Sequence, residues 1–94
     1  MRTFEFECDD RYEAEKLASL ISGQKDSKVW LAGISAVVGN EIVIQLKDKS
    51  SHAVVMMNSK EVDRLNQLLR NVLNGIENIH SSDFEASTVK IVLD

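Results

Sequence analysis

The sequence predicts an α+β fold, a two-layer sandwich in the order βαβββαβ with two helices on a mostly antiparallel sheet. Three observations carry that expectation. Residues 29–38 (VWLAGISAVV) hold no charge and lead through Gly39-Asn40 into a second apolar run over 41–46; two β-forming runs joined by a two-residue turn signal make a hairpin. From Asn58 onward the apolar period changes from two to 3.6 residues, which marks a change from strand to helix. Finally, 94 residues with 44% hydrophobic and 28% charged side chains suit one globular domain over 1–94, able to bury roughly two-thirds of its unfolded surface.

The elements follow in order. Residues 3–8 alternate, with Phe4, Phe6 and Cys8 on one side and Thr3, Glu5 and Glu7 on the other, the pattern of a half-buried outer strand. Asp9 or Asp10 supplies a helix cap, and Ala14, Leu17, Ala18, Leu20 and Ile21 recur at helical spacing to about Ser22, with Gly23 as the stop. After a polar loop come the hairpin and a third strand over 52–57. Asn58-x-x-Glu61 has the spacing of a capping box. Behind it Val62, Leu65, Leu69, Val72 and Ile76, widened by Leu68 and Leu73, form an apolar stripe that belongs on the domain's own sheet, and Asn74-Gly75 ends the helix. A polar connection then leads to a last strand over 88–93. The plan is related to the ferredoxin-like split arrangement, with an extra strand.

The hairpin fixes two faces. A Gly39-Asn40 loop pairs Val38 with Glu41, Ala36 with Val43, Ile34 with Gln45 and Ala32 with Lys47, leaving Val37, Ser35, Gly33 and Leu31 beside Ile42, Ile44 and Leu46 as the core face. Trp30, Ile34, Val38 and Val43 then fall on the opposite face, joined by Val54 and Met56 if Lys47 stands opposite His52. Because a strand with one wet face alternates and this one does not, that second face needs a cover. The first helix or the terminal strand would supply it from within; a partner would supply it from outside, as in homodimers and binding modules.

Charge is unevenly placed. Residues 1–16 carry six acids and three bases, 17–76 five acids and seven bases, and 77–94 four acids and one base, within a net charge of −4. The hairpin geometry brings Lys25, Lys28, Lys47 and Lys49 to one end of the sheet beside Ser51 and His52. Lysines and hydroxyls around loop amides hold phosphate or carboxylate, and lysines in loops are also simply solvated.

Other chemistries lack their residues. His80-Ser81-Ser82-Asp83 has the residue types of a hydrolase triad, but adjacent positions cannot build that geometry. His52 and His80 have no second ligand at metal spacing, and Asp9-Asp10 is explained by capping, so no metal and no cofactor is expected. A phosphate-cradling Gly-rich loop is missing, and Phe4 and Phe6 lack the basic aromatic partner motif of an RNA-binding sheet at a pI near 5.1, which speaks against nucleic acid. The longest apolar run is far short of the ~20 residues of a membrane-spanning helix, and no basic-then-apolar leader follows Met1. With Cys8 as the lone cysteine, a reducing, cytoplasmic setting is expected. What remains is a non-catalytic binding or regulatory module, a self-associating homodimer acting on a protein partner, in the style of the accessory or inhibitory proteins that phages encode. The alternative is a binder that sequesters a small anionic ligand or nucleotide at the lysine-bearing end.

Overall fold

The computed structural model describes residues 1–22, 31–48 and 51–94. Its elements are β1 (Arg2–Glu7), α1 (Arg11–Ser22), β2 (Leu31–Val38), β3 (Glu41–Leu46), β4 (His52–Met56), α2 (Ser59–Leu73), β5 (Ile79–Glu85) and β6 (Thr88–Leu93). The α+β sandwich is the expected one with a strand added: the connection before the last strand is itself β5. The strands form two antiparallel three-stranded sheets, ordered β1-β6-β5 and β2-β3-β4, bridged where Cys8 pairs with Met57 just beyond β1 and β4.

Each half of the chain reads strand, helix, strand, strand, and each sheet combines the hairpin of one half with the first strand of the other. The halves correspond closely, apart from β2's added bulge residue Ser35. Both hairpins close on two-residue loops, Gly39-Asn40 between Val38 and Glu41 and Ala86-Ser87 between Glu85 and Thr88, and the first loop residue has positive φ in each, +59° at Gly39 and +52° at Ala86. Each loop then receives a strand amide from the other half: Met57 N donates to Asn40 O at 2.9 Å and Cys8 N to Ser87 O at 2.8 Å. The Cys8–Met57 bridge therefore lies at the approximate two-fold between the halves.

The helices share the correspondence. Asp10 caps α1 by accepting from Glu13 N at 2.9 Å, and Asn58 caps α2 by accepting from Lys60 N at 2.9 Å. Leu17, Leu20 and Ile21 on α1 match Leu65, Leu68 and Leu69 on α2, all buried. Each helix packs across the two-fold, α1 on β5 and β6 and α2 on β2 and β3, and Phe6, Ile42, Ile44, Val55 and Ile91 from the strands join buried residues of both helices in one continuous core. A helix needs a sheet to bury its stripe, and here that sheet comes from the other half.

Three expectations need correction. Glu61 does not turn back to the Asn58 amide as a capping box requires; its carboxylate accepts from Glu7 N of β1 at 3.2 Å and pairs with Arg64 at 2.9 Å. Ile34 pairs with Ile44, not Gln45, because β2 bulges between Ile34 and Ala36. A bulge adds one residue and reverses the alternation beyond it, which turns Ile34 from the outer face onto the core. Gln45, not Lys47, stands opposite His52, since the β3–β4 connection closes through Leu46 N donating to Ser51 O.

Candidate functional site

Beyond β2's bulge the expected outer face assembles. Ala36 pairs with Val43, Val43 with Val54, and Glu41 with both Val38 and Met56, so Ala36, Val38, Val43, Val54 and Met56 share the side of β2-β3-β4 that looks away from the core. Val38 is 64% exposed and Val54 38%. Glu41, Gln45 and His52 edge the patch. Trp30, placed on this face by the sequence, lies outside the described residues.

The two-fold provides an internal reference. In β1-β6-β5 the positions of Ala36 and Val38 are taken by Asp83 and Glu85, that of Val43 by Lys90, and those of Val54 and Met56 by Glu5 and Glu7. The same place in the same fold is thus charged in one sheet and apolar in the other. Apolar side chains here are not required by the architecture. The charged copy also satisfies itself: Ser87 and Thr88 donate to the Glu7 carboxylate, which holds it below the usual carboxylate range.

The strand edges show a second device. On α1, Glu13 and Lys16 form an ion pair at 2.8 Å; Glu13 Oε2 accepts from Met56 N at 3.2 Å while Lys16 Nζ donates to Val54 O at 2.7 Å. On α2, Glu61 accepts from Glu7 N, and Arg64 Nη1 reaches Glu5 O at 3.4 Å. Each first strand therefore has its free edge closed by an acid–base pair three residues apart on the opposite helix. Sequence reasoning read Glu61 as a cap and Glu13 not at all; the usable signal is an Asx cap followed by Glu at the third and a base at the sixth position in both helices.

The lysine-bearing end is described in part. Lys25, Lys28 and Lys49 lie outside the described residues. Lys47 and His52 are exposed, and Ser51 Oγ donates to Asp48 Oδ2 at 3.1 Å, so a carboxylate already holds that hydroxyl. A cleft of about 330 Å³ opens between β1 and α2 over Phe4, Phe6 and Leu68. Its two guanidiniums stack on the aromatic floor, Arg2 over Phe4 and Arg64 over Phe6, and each is paired with a carboxylate, Arg2 with Glu77 and Arg64 with Glu61. Among the described residues no three of His, Cys, Asp and Glu gather as a metal site, and no helix is long and apolar enough to cross a membrane.

Comparison with protein families, curated proteins and solved structures finds no match for this chain.

Cys8 is 4% exposed. Burial, aided by the nearby Glu13, Glu7, Asp9 and Asp10 carboxylates, pushes its thiol from the ordinary value of 9.0 up to about 12. The thiol should therefore resist a disulfide reagent at pH 8 in the native protein and react once the chain is unfolded. Between pH 9 and 12 the unfolded chain releases a proton that the folded one keeps. Stability is then full below about pH 9 and falls as pH rises towards 12. Urea midpoints measured at pH 8 and 10.5 should show that decline in the native sequence and a smaller one in Cys8→Val.

Proposed function

We propose that this chain is a non-catalytic interaction module that self-associates through the β2-β3-β4 sheet and presents the apolar outer side of that sheet to a protein partner, as an accessory or inhibitory protein does. One observation carries the reading: five outer positions that the sister sheet fills with Asp83, Glu85, Lys90, Glu5 and Glu7 are here Ala36, Val38, Val43, Val54 and Met56. A surface kept apolar where the fold accepts charge is a surface meant to be covered.

The test transplants the sister strand. Ala36→Asp with Val38→Glu gives β2 the residues β5 carries, so the monomer should fold with an unchanged circular dichroism spectrum. Like charges brought together in an interface cost several kcal/mol, enough to weaken association roughly a hundredfold. Light scattering across a concentration series should show a wild-type dimer and a monomeric variant. A wild-type chain that stays monomeric at about 100 μM, where even weak specific dimers form, would end the self-association reading.

A further inference from the structure

We infer that the self-association proposed above is made by β2 pairing antiparallel with β2 of a second copy, joining two three-stranded sheets into one of six strands. The inference rests on that reading and adds the mode of contact.

Among the described residues the sheets have four free edges, on β1, β4, β5 and β2. Exposed edges template pairing with other chains and are normally blocked. Three of the four have an outward amide taken by a carboxylate: Glu7 N by Glu61, Met56 N by Glu13, and Phe84 N by Asp83 at 2.8 Å. The β2 counterpart of Phe84 is Val37, each being the second residue before its hairpin loop. Val38–Glu41 is the bonded closing pair of a two-residue loop, and antiparallel pairs alternate, so Val37 turns its N–H and C=O away from β3. Among the described residues no hydrogen bond satisfies that amide.

The occupant follows from charge and area. Among the described residues β2 is the longest strand and, like β4, carries no charged residue, whereas β5 holds Asp83 and Glu85 and β1 holds Glu5 and Glu7; of the two uncharged edges, that of β4 is closed by Glu13 and Lys16. In a chain of net charge −4, β2 is the edge where a copy can lie against itself without like charges meeting. An antiparallel strand pair about a two-fold is self-complementary, each residue facing its symmetry mate's partner. The outer face alone is small, three strands about 4.8 Å apart and about six residues long covering roughly 300 Å² in plan. Edge pairing adds main-chain hydrogen bonds and sets two apolar faces side by side as one surface. The bulges at Ala32 and Ser35 confine the new ladder to the segments around them.

The experiment uses exposed Ser35, near the middle of the strand. Ser35→Lys and Ser35→Glu should each weaken the dimer at least tenfold in analytical ultracentrifugation, and an equimolar mixture of the two should restore it. In the wild type, hydrogen exchange at the Val37 amide should slow as protein concentration rises. Val54→Glu, on the outer face two strands away from β2, should leave the dimer intact. If Ala36→Asp/Val38→Glu dissociates the dimer while both Ser35 variants remain dimeric and Val37 exchanges at one rate throughout, the dimer stands and edge pairing is wrong. Loss of the dimer in Val54→Glu with Val37 unprotected would likewise replace it by face-to-face packing. A monomeric wild type removes both readings.

Discussion

Leu17→Ala and Leu65→Ala are each expected to cost about 3 kcal/mol, and each should lower the stability of the whole chain in a single cooperative transition. Both side chains are fully buried and occupy the same place on their helices, seven residues beyond Asp10 and Asn58. Truncating a buried leucine loses its transfer free energy and leaves a cavity, for about 2–5 kcal/mol depending on how far the site collapses. That is a large share of the ~5–15 kcal/mol of a small domain. The sharing of one core follows from the crossed packing: Leu17 belongs to the first half of the chain but α1 lies on β5 and β6, and Leu65 belongs to the second half but α2 lies on β2 and β3. A cavity under either helix therefore loosens a helix of one half against strands of the other. Urea denaturation followed by circular dichroism and by Trp30 fluorescence should give coincident transitions, lower midpoints and unchanged slopes. Two separated transitions would mean that the halves are independent units and that the exchanged topology is wrong.

The sequence made five of the six strands, the last one at Thr88–Leu93 included, and both helices legible because each carried a local signal. Period two with Phe4, Phe6 and Cys8 located β1, Gly39-Asn40 located the β2–β3 hairpin, and the Leu65–Leu69–Val72 stripe located α2. β5 escaped because its signals are weak. Its loop is Ala86-Ser87, and alanine at positive φ is no turn signal at all, while its core-facing residues are only Ile79, Ser82 and Phe84, interrupted by a bulge beside His80. The two-sheet division and the two-fold followed β5 out of sight. Yet a trace of the repeat was present: Asp10-x-x-Glu13-x-x-Lys16-Leu17-x-x-Leu20-Ile21 recurs as Asn58-x-x-Glu61-x-x-Arg64-Leu65-x-x-Leu68-Leu69. Of the expected outer face, Val38, Val43, Val54 and Met56 were placed correctly by alternation. Ile34 was not, since a bulge is a tertiary adjustment that period counting cannot see.

Glu13→Ala is expected to destabilise the protein by about 1–3 kcal/mol and to open a second edge for association. Glu13 is 9% exposed, and its carboxylate serves two partners at once, the outward amide of Met56 and the ammonium of Lys16. Removing it leaves a half-buried amide with no acceptor, and an unpaired buried donor bears its full desolvation cost, about 1–3 kcal/mol. The corresponding Glu61→Ala removes the acceptor of Glu7 N from a more open site, with a side chain 21% exposed against 11% for Glu13. Exposed pairs contribute about 0–1 kcal/mol, so the two alanine variants should differ in that order. Glu13→Gln keeps an acceptor oxygen for Met56 N and should recover most of the loss. The association outcome is separate from the stability outcome. With β4 uncovered, its free edge resembles that of β2, and light scattering should find species larger than the wild-type assembly in Glu13→Ala but not in Glu13→Gln. Equal stability losses in Glu13→Ala and Glu61→Ala, with no new association, would mean that the helix-borne carboxylates hold their helices in place and do not guard the strand edges.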